Sequence, residues 1–217
     1  MFAGKTQVPV AHGQLEAIYR PTREDAERVA LVLHPHPLHG GTMHNKVVFR
    51  AARGLNDAGL VVLRINFRGV GQTTGTHDHA RGEQDDARLA LDYLVEKYPQ
   101  MPLVLAGFSF GSRVALETGV KDARVRALVG IGTPVNMYDF SFLQNCRKPT
   151  LFVHGEHDEF GDVARLRALA ETLPPEAHAA VEIIPGAGHF FDAQLDELTR
   201  VVKEWAGRVL AELKEGA

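Results

Sequence analysis

The chain has 217 residues, of which 45% are hydrophobic and 24% are charged, a composition typical of one soluble globular domain. A net charge of −3 with interspersed signs argues against nucleic acid as the main partner. The sequence has no apolar run near the roughly 20 residues of a membrane-spanning helix, and its start lacks the apolar core of a secretory signal. The single cysteine, Cys146, cannot form an internal disulfide. We therefore expect one cytoplasmic domain over residues 1–217, monomeric or homodimeric, with no nucleic-acid or membrane partner.

Hydrophobic periodicity predicts strands that alternate with helices along most of the chain. Continuous apolar runs such as "RVALVLHP" indicate strands buried on both faces of a sheet, whereas apolar residues three and four apart indicate helices. The predicted elements are a hairpin over 6–21 that turns at His12-Gly13, strands over 28–35, 60–67, 102–108, 125–132, 149–155 and 180–186, and helices over 45–59, 87–98, 112–119, 161–173 and 193–213. This alternation predicts a mostly parallel sheet with helices on both faces.

Polar residues able to do chemistry follow most of the predicted strands. They are His34 to Leu38, Asn66 to Gly69, Ser109, Thr133-Pro134, Glu156 to Glu159 and Gly188 to Phe190. In parallel sheets of this kind the ligand site lies beyond the carboxyl ends of the strands. We therefore expect these residues to gather at one edge of the sheet.

The run "AGFSFGSR" places Ser109 between Gly107 and Gly111, in a G-x-S-x-G pattern. A predicted strand precedes the serine and a predicted helix follows it. A sharp turn from strand to helix would crowd side chains at the flanking positions, which glycine avoids. The pattern also occurs by chance, so its meaning depends on partner residues elsewhere.

Two such partners follow Ser109 in the order Asp158, His189, each at the predicted end of a strand. A serine hydroxyl becomes a good nucleophile when a base takes its proton, and a third group must orient that base. Taken singly, Asp158 could cap a helix that starts near Gly161, and His189 could be a polar loop residue. The joint order favours a catalytic role for all three.

These features together resemble the α/β-hydrolase superfamily, in which the catalytic residues run Ser, Asp or Glu, His. The loops "HPHPLHGGTM" and "NFRGVGQT" make the resemblance closest to small, lidless bacterial serine hydrolases related to dienelactone hydrolases, and it covers residues 29–192 most strongly. The resemblance implies a central sheet of about seven or eight strands and favours Asp158 over its neighbours Glu156 and Glu159. Dienelactone hydrolases use a cysteine nucleophile, so the serine here indicates general ester chemistry.

The same chemistry needs two backbone N–H groups aimed at the oxyanion of a tetrahedral intermediate. The residue after the nucleophile, Phe110, should supply one of them. The second should come from residues 34–41, where Pro35 and Pro37 have no N–H to give. By resemblance to hydrolases with a His-Gly-x loop, the expected second donor is Leu38.

The histidines of the same loop raise the alternative of a metal site. Alternation along a strand would place His34 and His36 on one side, as a ligand pair requires, with His39 and His44 nearby. No cysteine or carboxylate cluster accompanies them, and a serine mechanism needs no metal. We therefore expect neither a metal nor another cofactor.

Residues 135–144 follow a predicted strand and should lie beside the site. The candidates to line a substrate pocket are His36, Met137, Tyr138, Phe140 and Phe190. Packing of the aromatic residues over the sheet is an equally good interpretation. Only sixteen residues, 133–148, separate two predicted strands where lids are commonly inserted, too few for a helical cap domain.

The sequence thus predicts a carboxylesterase-like serine hydrolase that cleaves small to medium acyl esters through an acyl-enzyme. The same three residues would also serve an amide, lactone or thioester hydrolase, because specificity depends on the pocket. A binding protein that has lost catalysis on this scaffold is a further alternative. It would predict a damaged catalytic set, whereas this one is complete.

Overall fold

The computed structural model describes residues 4–21 and 28–215. The strands are β1 Gly4–Val10, β2 Gly13–Arg20, β3 Val29–Leu33, β4 Val61–Ile65, β5 Leu103–Phe108, β6 Val125–Ile131, β7 Thr150–Gly155 and β8 Ala180–Ile184. The helices are α1 Lys46–Asp57, α2 Arg81–Lys97, α3 Phe110–Lys121, α4 Val163–Glu171 and α5 Leu195–Glu215. Short 3-10 turns occur at Pro37–His39, Ser141–Asn145 and Pro175–Ala177.

All eight strands form one sheet in the order β1-β2-β4-β3-β5-β6-β7-β8. The β1–β2 hairpin lies at one edge, and β2 pairs antiparallel with β4. From β4 to β8 every neighbouring pair is parallel. This arrangement confirms the predicted mostly parallel sheet and brings the carboxyl ends of β3 to β8 to one edge.

The continuous apolar strands divide their side chains between two cores. In β5, Leu103 and Leu105 belong to a core covered by α2, α3 and α4, whereas Val104, Ala106 and Phe108 belong to a second core under α1 and α5. Successive strand residues point to opposite faces, so a strand in the middle of such a sheet must be apolar at every position. All six residues of β5 are accordingly buried.

The prediction that one helix ends at Gly119 is wrong, since α3 continues to Lys121. A Cβ atom at Gly119 would lie 2.2 Å from Cδ2 of Leu128 on β6. The glycine therefore permits close packing of α3 on the sheet and does not terminate the helix.

Residues 132–149, all of which the structure describes, connect β6 to β7 with one 3-10 turn and no inserted domain. The predicted absence of a cap domain here is confirmed. Among the described helices, none combines the length and the apolar character needed to cross a bilayer.

Candidate active site

Ser109 occupies the sharp turn between β5 and α3, with φ 55° and ψ −121°. Positive φ is costly for a residue with a side chain and is retained where the surroundings enforce it. A Cβ atom on Gly107 would lie 2.0 Å from the carbonyl oxygen of Gly111, and one on Gly111 would lie 2.4 Å from that of His34. The serine N–H donates to the carbonyl of Ile131 at 2.9 Å. The two glycines therefore allow this turn, as the sequence predicts.

The structure brings Ser109, His189 and Asp158 into one hydrogen-bonded series. Nε2 of His189 lies 2.9 Å from Oγ of Ser109, and Nδ1 lies 2.8 Å from Oδ2 of Asp158. His189 and Asp158 are almost fully buried, with 4% and 7% of their surfaces exposed to solvent. With Nδ1–H donating to the carboxylate, the neutral imidazole presents Nε2 as an acceptor for the serine proton.

Asp158 also makes the contacts that distinguish it from its acidic neighbours. Its second oxygen, Oδ1, accepts the N–H of Phe160 at 2.9 Å, which fixes the plane of the carboxylate. Glu156 instead accepts the N–H of Gly186, and Glu159 is exposed. The residue that caps α4 is Asp162, so helix capping does not explain Asp158.

Two neighbours of the acid and base were not foreseen from the sequence. The ring of Phe160 lies edge-on to His189, with 4.6 Å between centroids. His154, fully buried on β7, donates from Nε2 to the carbonyl of Gly161 at 2.6 Å, and this nitrogen lies 3.6 Å from Oδ2 of Asp158. Both residues lie within four positions of Asp158, which is the one signal the sequence offers for them.

His34 at the end of β3 has a structural environment. Its Nδ1 donates to the carbonyl of Pro35 at 2.6 Å, and its Nε2 accepts the N–H of Phe67 at 3.0 Å. Burial lowers the pKa of His34 to about 4, so the ring is neutral at neutral pH. Because both ring nitrogens bind backbone groups, this histidine ties the end of β3 to the end of β4.

The geometry of the next loop argues against Leu38 as an oxyanion donor. Its N–H donates to Nδ1 of His36 at 3.2 Å, and its side chain is 67% exposed outside the cavity wall. The cause is local, because Pro37 starts a 3-10 turn that His36 caps. Among the described residues, the backbone N–H groups of His36 and Phe110 have no hydrogen-bond partner, and both residues line the cavity that contains Ser109.

A cavity of about 380 Å³ opens over Ser109. It is lined by Pro35, His36, His39, Gly40, Gly41, Asn45, Ser109, Phe110, Pro134, Met137, Tyr138, Phe160, His189 and Phe190. Four of the predicted pocket residues, His36, Met137, Tyr138 and Phe190, are thus at the wall. Phe140 is not: it is buried in the core, 5.7 Å from the guanidinium carbon of Arg113, so its prediction as a lining residue is wrong.

Comparison with known sequences and structures identifies the family of this chain. A family model described as an alpha/beta hydrolase domain matches residues 28–209. The chain therefore belongs to the alpha/beta hydrolase domain family.

Three relatives illustrate the likeness. An uncharacterized protein of Rickettsia prowazekii, RP471, is 38% identical over 201 residues, which cover 89% of this chain and 84% of that protein. XC6422 of Xanthomonas campestris, described as an α/β serine hydrolase without lid, has a TM-score of 0.87 and 33% identity over 96% of this chain and 95% of its own. An α/β serine hydrolase homologue from Coxiella burnetii also has a TM-score of 0.87, with 32% identity over 94% and 97%.

Proposed function

We propose that this protein is a carboxylesterase-like hydrolase that cleaves small to medium acyl esters, with Ser109 as nucleophile, His189 as base and Asp158 as the carboxylate that orients the base. The observation that carries the proposal is the hydrogen-bonded series Ser109–His189–Asp158 beside an open cavity. A general base within hydrogen-bond reach of the hydroxyl is the first geometric requirement for an activated serine.

The proposed reaction has two halves. In the first, Oγ of Ser109 attacks the ester carbonyl while Nε2 of His189 takes the hydroxyl proton, and the imidazolium then returns that proton to the departing alcohol. In the second, His189 takes a proton from water, the hydroxide attacks the acyl-enzyme, and the proton passes back to Oγ as the acid leaves. Asp158 stays ionised throughout and stabilises the imidazolium.

The negative charge on the carbonyl oxygen requires donors in place before the reaction begins. We assign these donors to the N–H groups of Phe110 and His36. His36 thus takes the place that the sequence prediction gave to Leu38. Phe110 opens α3, and the first N–H groups of a helix have no partner within the helix. Pro35 and Pro37 on either side of His36 restrict the backbone that presents its N–H.

Amide, lactone and thioester hydrolysis use the same three groups, so the bond class must be tested directly. The test compares initial rates on 4-nitrophenyl butanoate, butanoyl 4-nitroanilide and a butanoyl thioester of the same acyl group. Ester turnover that exceeds the other two and disappears in Ser109→Ala supports the proposal. Preference for the thioester or anilide would move the enzyme to that bond class, and no turnover of any of them would support the binding-protein alternative.

A further inference from the structure

Two polar side chains in the cavity wall accept hydrogen bonds from backbone N–H groups through their acceptor atoms. Nδ1 of His36 accepts the N–H of Leu38 at 3.2 Å, and Oδ1 of Asn45 accepts the N–H of Val47 at 2.9 Å as the cap of α1. A neutral histidine that accepts at Nδ1 carries its proton at Nε2, and an amide that accepts at oxygen keeps its two N–H bonds. The polar groups that remain on both side chains are therefore donors.

Neither set of donors has a partner in the described residues of the chain. Nε2 of His36 and Nδ2 of Asn45 make no hydrogen bond there, although both residues line the cavity over Ser109. Burial and the nearby His77 and His39 lower the pKa of His36, which favours the neutral ring. The cavity-lining residues include no aspartate or glutamate that could accept from them.

Part of the remaining wall is apolar. Met137, Phe160 and Phe190 are apolar and lie in the same cavity as the two donors. A wholly aliphatic substrate would satisfy these residues and leave the donors of His36 and Asn45 without acceptors. Leaving a desolvated donor unpaired is costly, so the wall discriminates in favour of a substrate that supplies an acceptor.

On the basis of the proposed ester hydrolysis, we propose that the physiological substrate carries an oxygen acceptor, in addition to its scissile ester group, that binds the donors of His36 and Asn45. Carbonyl, ether, hydroxyl and carboxylate oxygens share this chemistry. The two side chains would thus act as specificity determinants, with no part in the bond-breaking steps.

The test measures binding in Ser109→Ala protein, so that it does not depend on turnover. Two pairs of esters differ by one oxygen in place of a methylene group: 2-methoxyethyl butanoate against butyl butanoate, and butyl 3-methoxypropanoate against butyl pentanoate. Transfer out of water alone favours the methylene member of each pair. We expect the oxygen member of at least one pair to bind about threefold to tenfold more tightly, measured as Kd by ligand-observed NMR titration.

Variants then locate the effect. Asn45→Asp keeps an oxygen to cap Val47 but exchanges the donors for an acceptor, and should abolish the preference. His36→Phe keeps the backbone N–H and an aromatic ring but removes both the side-chain donor and the Nδ1 acceptor that caps the 3-10 turn, and it should reduce the preference. Asn145→Asp makes the same charge change at an exposed position outside the cavity and should keep the preference. Melting temperatures report whether each variant is folded.

Equal Kd values within both pairs would overturn the inference, and so would a preference that survives in both Asn45→Asp and His36→Phe. These outcomes are independent of the proposed function. If the wild-type protein showed no ester turnover, that result would count against ester hydrolysis. The binding comparison in Ser109→Ala would still decide whether the donors recognise an oxygen.

Discussion

The reacting centre and the mouth of the cavity lie side by side at the edge of the sheet but differ in how they are held. His189 and Asp158 are almost fully buried, and each makes a hydrogen bond with another member of the series or with the backbone. At the mouth, the wall residues Met137 and Phe190 are 58% and 43% exposed. The centre is positioned by strand ends and backbone hydrogen bonds, whereas the mouth consists of partly exposed side chains from loops.

This difference has a consequence for mutation. A change at the centre should remove a group that nothing nearby can replace, because the interior is close-packed and its polar atoms are paired. A change at the mouth should alter contact with the substrate by the small amount of surface that an exposed side chain contributes. The predictions below test this contrast from the largest expected effect to the smallest.

The largest effect is expected for Ser109→Ala. We expect kcat for ester hydrolysis to fall by about 10⁴-fold or more, because the residual rate depends on oxyanion binding alone. The measurement is steady-state turnover of 4-nitrophenyl butanoate. Ser112→Ala is the matched control, since Ser112 lies three residues away on α3 and donates to the carbonyl of Ser109. It should keep most of the activity and lose stability only modestly.

Asp158→Asn should reduce kcat by about 10³-fold to 10⁴-fold, since an amide favours the wrong tautomer of His189. Rates on the same ester give the measurement, and circular dichroism shows whether the fold is kept. Glu156→Gln and Glu159→Gln are controls that remove a negative charge from the same loop. If either of them caused the larger loss, the acid would be misassigned.

His34 tests the centre through stability instead of rate. Burial lowers its pKa from 6.5 to about 4, so between these pH values the unfolded chain binds a proton that the native chain does not. The free energy of unfolding should therefore fall as pH falls through this window, by about 3 kcal/mol from this residue.

Urea unfolding at pH 7.5 and pH 4 gives that difference. His34→Gln, which can still accept from Phe67, should lose about 3 kcal/mol less than wild type over this pH interval. His44→Gln serves as the control for replacement of an exposed histidine. Equal pH dependence in wild type and His34→Gln would show that His34 titrates normally in the folded protein.

The smallest effects are expected at the mouth. Each methylene group left unburied forfeits up to about 0.8 kcal/mol of binding free energy, so acyl chains that extend beyond an open cavity gain little. We therefore expect kcat/KM to be highest at roughly C2 to C6.

Met137→Ala should change kcat/KM on these esters by less than about threefold. Measurements over 4-nitrophenyl esters from C2 to C16 test both statements. A maximum at C12 or longer would show that the mouth forms a deep binding tunnel.

The sequence predicts the centre well because each of its residues follows a strand. The predicted ends of β5 and β7 are the observed ones, and parallel pairing brings the ends of β5, β7 and β8 to one edge of the sheet. Ser109, Asp158 and His189 therefore meet wherever the strands are correctly identified. Their order along the chain indicates which residue is the nucleophile, which the carboxylate and which the base.

The mouth could not be predicted to the same degree, because its geometry depends on short loops. Phe140 and Met137 are three residues apart in one loop, yet one is buried in the core and the other lies at the cavity wall. The N–H of Leu38 is already engaged, because His36 caps a 3-10 turn and accepts it. Neither outcome follows from composition or periodicity.

The central claim is that Ser109 is an activated nucleophile, and active-site labelling tests it most directly. A fluorophosphonate reacts when a serine oxygen displaces fluoride at phosphorus, which an ordinary serine does not do at a useful rate. The account predicts one adduct, located by peptide mass on Ser109, that is absent in Ser109→Ala and retained in Ser112→Ala. An adduct on another residue, or undiminished labelling of Ser109→Ala, would contradict it.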